Sequence, residues 1–386
     1  MKYITKYSDL NNKQNREYTL STLNLDKYII KKFEELHIKL EVVSANYTTN
    51  NNVYYKKKIE KRNDNTTITL LPTFGLSNKS SLIFSKLYLE INLFMYLLFN
   101  VKKKEKIMIR HSLIYMIPLF IASKIKGFQY VLNFGEEYGK VTSVNPIYRK
   151  LEPIIIKSAS NYIFSNDILA SIYEVEDYEW IKLYGVYDIE SSKDSKQLED
   201  KYKIVYAGII TIEEGSAYKA INIASFLNKD YEIHIMGKVL ENEKQIFLDR
   251  IKKSNDINEC KIYFHGEKKA NDFNELMYNF DLGLNFRKID EVYIDYAFPS
   301  KLLTYLSFGL EILSTRINVV VNSDVGKCIN YVDNLDEEHI SNEILRISNS
   351  DCKDNKNILI RLDKEFKNSI DKSLGIKGSW LKNGNV

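Results

Sequence analysis

The feature that most constrains this chain is a rhythm in its second half: four strand–helix units, three of whose strands run into glycine. Lys203-Ile-Val-Tyr-Ala207 meets Gly208, Tyr231-Glu-Ile-His-Ile-Met236 meets Gly237, and Lys261-Ile-Tyr-Phe264 reaches His265-Gly266. The fourth, Asp281-Leu-Gly-Leu-Asn-Phe286, leads to Arg287. Helical patterns lie between them over Ala217–Leu227, Glu243–Lys253 and Phe273–Asn279. Short apolar runs separated this regularly by helices predict a parallel sheet covered on both faces, a doubly wound α/β domain. In such sheets the ligand crevice lies beyond the carboxyl ends of the strands. Gly208, His265, Gly266, Arg287 and Lys301 fall at that edge.

The stretch from Tyr296 to Gly309 (YAFPSKLLTYLSFG) completes the edge. Pro299 suits a first helical turn, because the N–H it lacks would be unpaired there anyway. Ser300 and Lys301 add a hydroxyl and a cation. Dipole, backbone donors and charge then all favour an anion, so Pro299, Ser300 and Lys301 form a candidate phosphate site. Leu302, Leu303 and Leu306 share one face, and Gly309 suits the position after the last turn. An ordinary capped helix has the same pattern.

The first half repeats the alternation less cleanly. Helical periods cover Thr22–Leu36, Leu82–Phe99, Leu113–Lys126 and Ile147–Lys157, and strand-like runs occupy Leu40–Asn46, Thr67–Phe74, Lys106–His111, Gln129–Phe134 and Asn161–Phe164. The polar stretch Tyr47–Thr66 has the character of a long loop. Residues 189–201 are polar, charged and aperiodic, a natural linker. The expected division is residues 1–188, the linker 189–201, a second domain over 202–362, and a tail over 363–386 with a last helix packing back on the first domain.

At 386 residues the chain is too long for one ordinary core. A net charge of +4 argues against a dedicated nucleic-acid binder. The three scattered cysteines suit a reducing cytoplasm and exclude a cysteine-cluster metal site. The N-terminal stretch lacks the apolar core of a signal peptide. The most apolar run, Leu82–Phe99, is broken by Lys86, Glu90 and Asn92, which predicts a buried helix rather than a membrane span. P-loop, dinucleotide, zinc-peptidase and serine-hydrolase motifs are absent.

With these motifs in order, the second half resembles the nucleotide-sugar-binding domain of glycosyltransferases with the GT-B fold. The likeness runs through Ile204–Gly215, Glu232–Gly237, Ile262–Gly266, Asp281–Asn285 and Pro299–Gly309. The first half is similar to bacterial transferases that build capsular and other surface polysaccharides, through Tyr28–Phe33 before Val42–Ala45, Arg110–Leu113, Glu136–Gly139 and Leu183–Tyr187. The resemblance implies two Rossmann-like domains facing a cleft, the first binding acceptor and the second the nucleotide sugar. It implies a cytoplasmic hexosyltransferase-type enzyme, retaining, with UDP-sugar the favoured donor, a glycan or lipid-linked acceptor, and neither cofactor nor metal. Without a metal, the leaving diphosphate must be neutralised by cations and helix N-termini, here Lys301, Arg287, Ser300 and the Gly208 loop. Relatives often carry a pair of glutamates at the positions of Tyr296 and Thr304 and a basic residue at that of Glu214. Asp295 adjoins the first of these, and Thr304 is left as a weaker ribose contact.

Gly135-Glu-Glu-Tyr138 sits past a strand end, where many relatives place a catalytic-domain histidine. Glu136 or Glu137 is the candidate base or charge stabiliser, and His111 the candidate to orient the acceptor. Tyr54–Arg62 and Lys102–Lys104 are either solvated faces or a docking surface for an anionic membrane at the inner face of the cell. The lost glutamates and Glu214 motivate a second reading, a catalytically silent subunit binding a glycan or a partner transferase; a nucleotide-sugar epimerase of the same fold is a third, and a homo-oligomer is open in each.

Overall fold

The computed structural model describes residues 1–7, 14–76, 81–141, 144–176, 180–190, 201–213, 215–268, 270–287, 297–350 and 355–374. It divides into two compact units. The first comprises Met1–Val186 and the chain from Glu365, the second Tyr187–Lys364.

The first unit is built on strands β1 (Lys2–Thr5), β2 (Leu40–Ser44), β3 (Val53–Tyr55), β4 (Lys58–Lys61), β5 (Thr66–Leu70), β6 (Thr73–Gly75), β7 (Lys106–Arg110), β8 (Gln129–Phe134), β9 (Asn161–Phe164) and β10 (Trp180–Lys182). Eight of them form one sheet in the order β10-β9-β8-β7-β1-β2-β5-β4. All its pairs are parallel except the edge strand β4, which runs against β5. β1 lies between β2 and β7, with Tyr3 opposite both Val42 and Met108. β3 and β6 make a separate antiparallel ladder. The polar stretch expected as a loop therefore contains β3 and β4. Lys58-Ile-Glu-Lys61 is mostly exposed, and an edge strand tolerates such charge because one side pairs with nothing.

The helices here are α1 (Leu20–Glu35), α2 (Ser81–Asn100), α3 (Leu113–Lys126), α4 (Tyr138–Val141), α5 (Pro146–Lys157) and α6 (Ile168–Tyr173). Buried residues of α2, α3, α5 and α6 join one apolar core with Ile4, Val43, Ile109 and Leu132. The connection from β1 to β2 steps along the sheet in the opposite direction to that from β7 to β8. Right-handed crossovers then place α1 on the other face. The expectation that Leu82–Phe99 is buried is corrected. α2 buries Leu89, Leu93 and Leu97, but Ile83, Phe84, Leu87, Ile91 and Phe99 are exposed.

The second unit is a parallel sheet of β11 (Tyr202–Ala207), β12 (Tyr231–Met236), β13 (Lys261–Gly266), β14 (Leu282–Asn285), β15 (Glu311–Thr315) and β16 (Asn330–Val332), in the order β13-β12-β11-β14-β15-β16. Strand order reverses between β11 and β14, the position where doubly wound sheets open a crevice. Its helices are α7 (Ser216–Asn222), α8 (Lys244–Ile257), α9 (Ala270–Met277), α10 (Lys301–Phe308), α11 (Asn318–Val321) and α12 (Glu337–Ser348). The helix expected over Ala217–Leu227 tightens after Asn222 into a 3-10 turn. The last helix, α13 (Lys356–Leu374), starts before the expected Asp363. Its later turns belong to the first unit, where Phe366 stacks on Tyr28 and Lys367 pairs with Glu35 at 3.1 Å.

Candidate functional site

In the second unit the carboxyl ends of β11, β12 and β13 brace one another through backbone. Gly208 N–H donates to the Met236 carbonyl and Gly237 N–H to the Gly266 carbonyl, both at 3.0 Å. Gly237 has φ 147°, and a Cβ there would lie 1.7 Å from the Gly208 carbonyl oxygen. No side chain fits, so the loops approach as bare backbone. Above them, Lys301 Nζ sits 4.5 Å from the Tyr206 ring centroid and 3.1 Å from where a Gly208 Cβ would be. The sequence expectation that Gly208 and Lys301 share an edge is met.

What holds Lys301 there is α10. Tyr305 of that helix accepts from Ala207 N–H at 3.0 Å and donates to the Leu284 carbonyl at 3.2 Å, tying the helix to β11 and β14. Gly283 leaves the room, since a Cβ would fall 2.4 Å from the Tyr305 ring. Pro299 is buried, and its carbonyl accepts from Leu302 N–H at 3.1 Å. Ser300 is exposed, has helical dihedrals and makes no side-chain cap. Thr304 is half-buried in the first turns. Arg287 N–H donates to Thr315 Oγ1 at 3.0 Å. Asp295, Tyr296 and Glu214 lie outside the described residues.

His265 is engaged elsewhere. Its Nε2 lies 2.9 Å from His234 Nδ1, with the ring planes parallel and the centroids 5.2 Å apart, and Tyr263 stacks on His234. Burial, aided by His265, pushes His234 down to about 4, although Glu232 opposes it. Burial and then Lys268 lower His265 too. His265 thus belongs to a histidine pair, and the adjoining Gly266 carbonyl accepts from Gly237 N–H.

The first unit is organised by charge. Asp26, on α1, is fully buried. It accepts from Tyr3 at 2.5 Å, from Thr5, and from Arg110 at 2.9 Å, and Asn133 donates to the Tyr3 hydroxyl at 3.3 Å. Burial works against the Arg110 charge, but Asp26 outweighs it and holds the guanidinium above its ordinary value. Next to Arg110, His111 is buried with its ring stacked 5.0 Å from Tyr138 and edge-on to Phe134. Its Nε2 lies 3.1 Å from Glu152 Oε1, off line for a good hydrogen bond. Glu152 also accepts from the backbone N–H groups of Tyr138 and Gly139, each at 2.8 Å. Burial raises the Glu152 carboxyl, yet His111 and these donors leave it below its usual value. Lys6, Thr19, Arg110, His111, Ser112 and Tyr138 line a recess beside this cluster.

The two glutamates expected to act in chemistry part company. Glu137 is buried and accepts from Tyr173 at 2.5 Å. Glu136 is half-exposed. The sequence reading missed Asp26 and Glu152. For Asp26 a signal existed, since Leu23, Asp26, Ile30 and Phe33 are all buried on α1 and a carboxylate stands in that apolar stripe. Glu152 gave no comparable sign.

No protein-family model and no curated protein matches the chain. Solved structures do. HepE of Anabaena in complex with UDP and glucose is 10% identical with a TM-score of 0.58, over 99% of this chain and 98% of that one. The UDP-forming α,α-trehalose-phosphate synthase of Burkholderia vietnamiensis is 7% identical at 0.63, over 99% and 98%. The lipopolysaccharide outer core galactosyltransferase WaaB is 12% identical at 0.59, over 97% and 99%. At such identities the likeness carries the architecture: the chain has the GT-B fold, with two Rossmann-like domains.

Proposed function

We propose that this chain is a glycosyltransferase that moves a sugar from UDP-sugar to a glycan or lipid-linked acceptor, with retention and without a bound metal, in cytoplasmic assembly of surface polysaccharide. The observation that carries the reading is Lys301 held over the side-chain-free Gly208 edge at the start of α10. That is the chemistry a leaving diphosphate needs, and the solved structures of like fold include one with UDP and one described as UDP-forming.

In this reading the acceptor hydroxyl forms the new bond to the anomeric carbon as the bond to the phosphate oxygen breaks. UDP departs with the electron pair and the acceptor proton is released. Lys301, the first-turn N–H groups of α10, Ser300 and Arg287 stabilise the charge growing on the diphosphate. Thr304 contacts the ribose. Glu136 acts on the acceptor hydroxyl or the donor sugar, and His111, backed by Glu152, orients the acceptor. Glu137 supports the loop through Tyr173.

Calorimetric titration with UDP and GDP, together with a hydrolysis screen over nucleotide sugars, tests this. UDP binding with slow donor hydrolysis is expected, and no binding to any nucleotide would sink it. The silent-subunit reading is favoured by Thr304, which stands where relatives often carry a ribose-binding glutamate. Turnover that needs a second protein and survives both Lys301→Ala and Glu136→Gln would establish that reading instead.

A further inference from the structure

Helix α2 is apolar around nearly its whole circumference, yet only one flank is covered. Leu89, Leu93 and Leu97 are sealed against the sheet, while on the other side Ile83 is 71%, Phe84 58% and Phe99 75% exposed. Lys86 and Glu90 are its only charged residues. The stretch Leu82–Asn100 is long and apolar enough to cross a membrane, and 28% of its most apolar window is buried. A helix hydrophobic all round is ordinarily enclosed by protein or lipid. Among the described residues, protein covers this one on a single flank.

The uncovered surface is wider than one helix. α3 packs beside α2, and α5 beside α3. Ile121 and Ile125 of α3 and Ile147 and Ile154 of α5 are exposed as well. Scattered apolar residues are normal on a surface, but a layer spread over three neighbouring helices marks an interaction face.

Charge decides what fits it. The turn after α2 carries Lys102, Lys103 and Lys104, all exposed. Lys104 N–H donates to the Gly127 carbonyl at 3.1 Å, which sets this turn beside Lys124 and Lys126 at the end of α3. α5 adds exposed Arg149, Lys150 and Lys157. The three helices hold two carboxylates, and Glu152 is buried beside His111 while Glu90 accepts from Tyr148 at 3.1 Å. A second copy of this face would bring cations against cations. A bilayer with anionic headgroups meets both features, taking the apolar side chains at its acyl boundary and the lysines among its phosphates. Because its other flank is built into the sheet's core, α2 lies along such a surface rather than through it.

We propose that the α2–α3–α5 face docks the protein on a bilayer surface containing anionic phospholipid. This stands independently of the sugar-transfer reading. Co-sedimentation of the full chain with vesicles of phosphatidylglycerol and phosphatidylcholine, compared with phosphatidylcholine alone, tests it. Preferential binding to the anionic vesicles is expected. Phe84→Ser with Ile91→Asn, both at exposed positions, weakens it about tenfold or more. Lys103→Gln and Lys124→Gln each weaken it roughly fivefold, with a matching loss as salt rises. Equal sedimentation with and without anionic vesicles overturns the proposal. So does binding that the α2 changes leave intact. A dimer in sedimentation velocity that the α2 changes dissolve, without vesicle binding, overturns it too and makes the face an interface between copies. The lysine changes keep the test decisive if the α2 variant misfolds.

Discussion

At its carboxyl edge the sheet of the first unit is crowded with polar side chains, whereas at the same edge of the second sheet three strands end in glycine. Asp26 and Arg110, His111 and Glu152 occupy the first. Gly208, Gly237 and Gly266 occupy the second, with Lys301 placed over Gly208. One edge is shaped by the Asp26–Arg110 ion pair and by Glu152 close to His111. The other is shaped by absent volume, which lets the strand-end loops approach one another as bare backbone. A fold repeated twice in one chain thus supplies two kinds of edge, one filled with polar side chains and one where backbone packs on backbone.

The largest effect is expected where charge is most enclosed. Asp26→Asn keeps the shape but strips Arg110 of its counter-charge, and should cost about 3–5 kcal/mol in a denaturant titration. A loss under about 1 kcal/mol would mean that charge does not build this edge. On the other side of the comparison, Gly237→Ala forces a Cβ into the Gly208 carbonyl at a positive φ. We expect roughly 2–4 kcal/mol of destabilisation and loss of nucleotide binding from this methyl group alone. Wild-type stability would refute the idea that space shapes the second edge.

In the second unit the histidine pair is sensitive to charge. The folded state holds His234 at about 4, below the ordinary 6.5, so it favours the neutral ring. That contribution is complete above about pH 6.5 and is lost as pH falls towards 4, because the unfolded chain takes up the proton first. Thermal melts across that window should show a decline on the order of 2–3 kcal/mol, and His234→Phe should flatten it. The smallest change in stability is expected for Lys301→Ala, which should leave melting nearly unmoved. UDP affinity should instead fall by about 1.5–3 kcal/mol, as for a lost charge-assisted contact. Unchanged affinity in titration would detach the lysine from the phosphate.

The contrast also explains what could be read from the residues. Four strands of the second sheet, β11 to β14, were legible because each is a short apolar run that leads to a glycine or to Arg287, and both signals are local. The Asp26 cluster was not, since its partners stand 21 and 84 residues away along the chain. β1 is only Lys2-Tyr-Ile-Thr5, too short for a periodic signal, yet it lies inside the sheet. Composition identified α2 as a helix but could not say which of its sides was covered. Glu136 and Glu137 looked equivalent in sequence, and only the packing of Tyr173 tells them apart.

One feature of the chain's course bears on how it is made. The first unit is interrupted: its portion from Glu365 is encoded after the whole of Tyr187–Lys364. During synthesis the second unit can therefore finish while the first still lacks the turns of α13 that cover Tyr28. Although N-terminal domains generally mature first on the ribosome, here the opening unit is the last to close. Until Phe366 is made, Tyr28 of α1 lacks the ring that stacks on it in the folded unit.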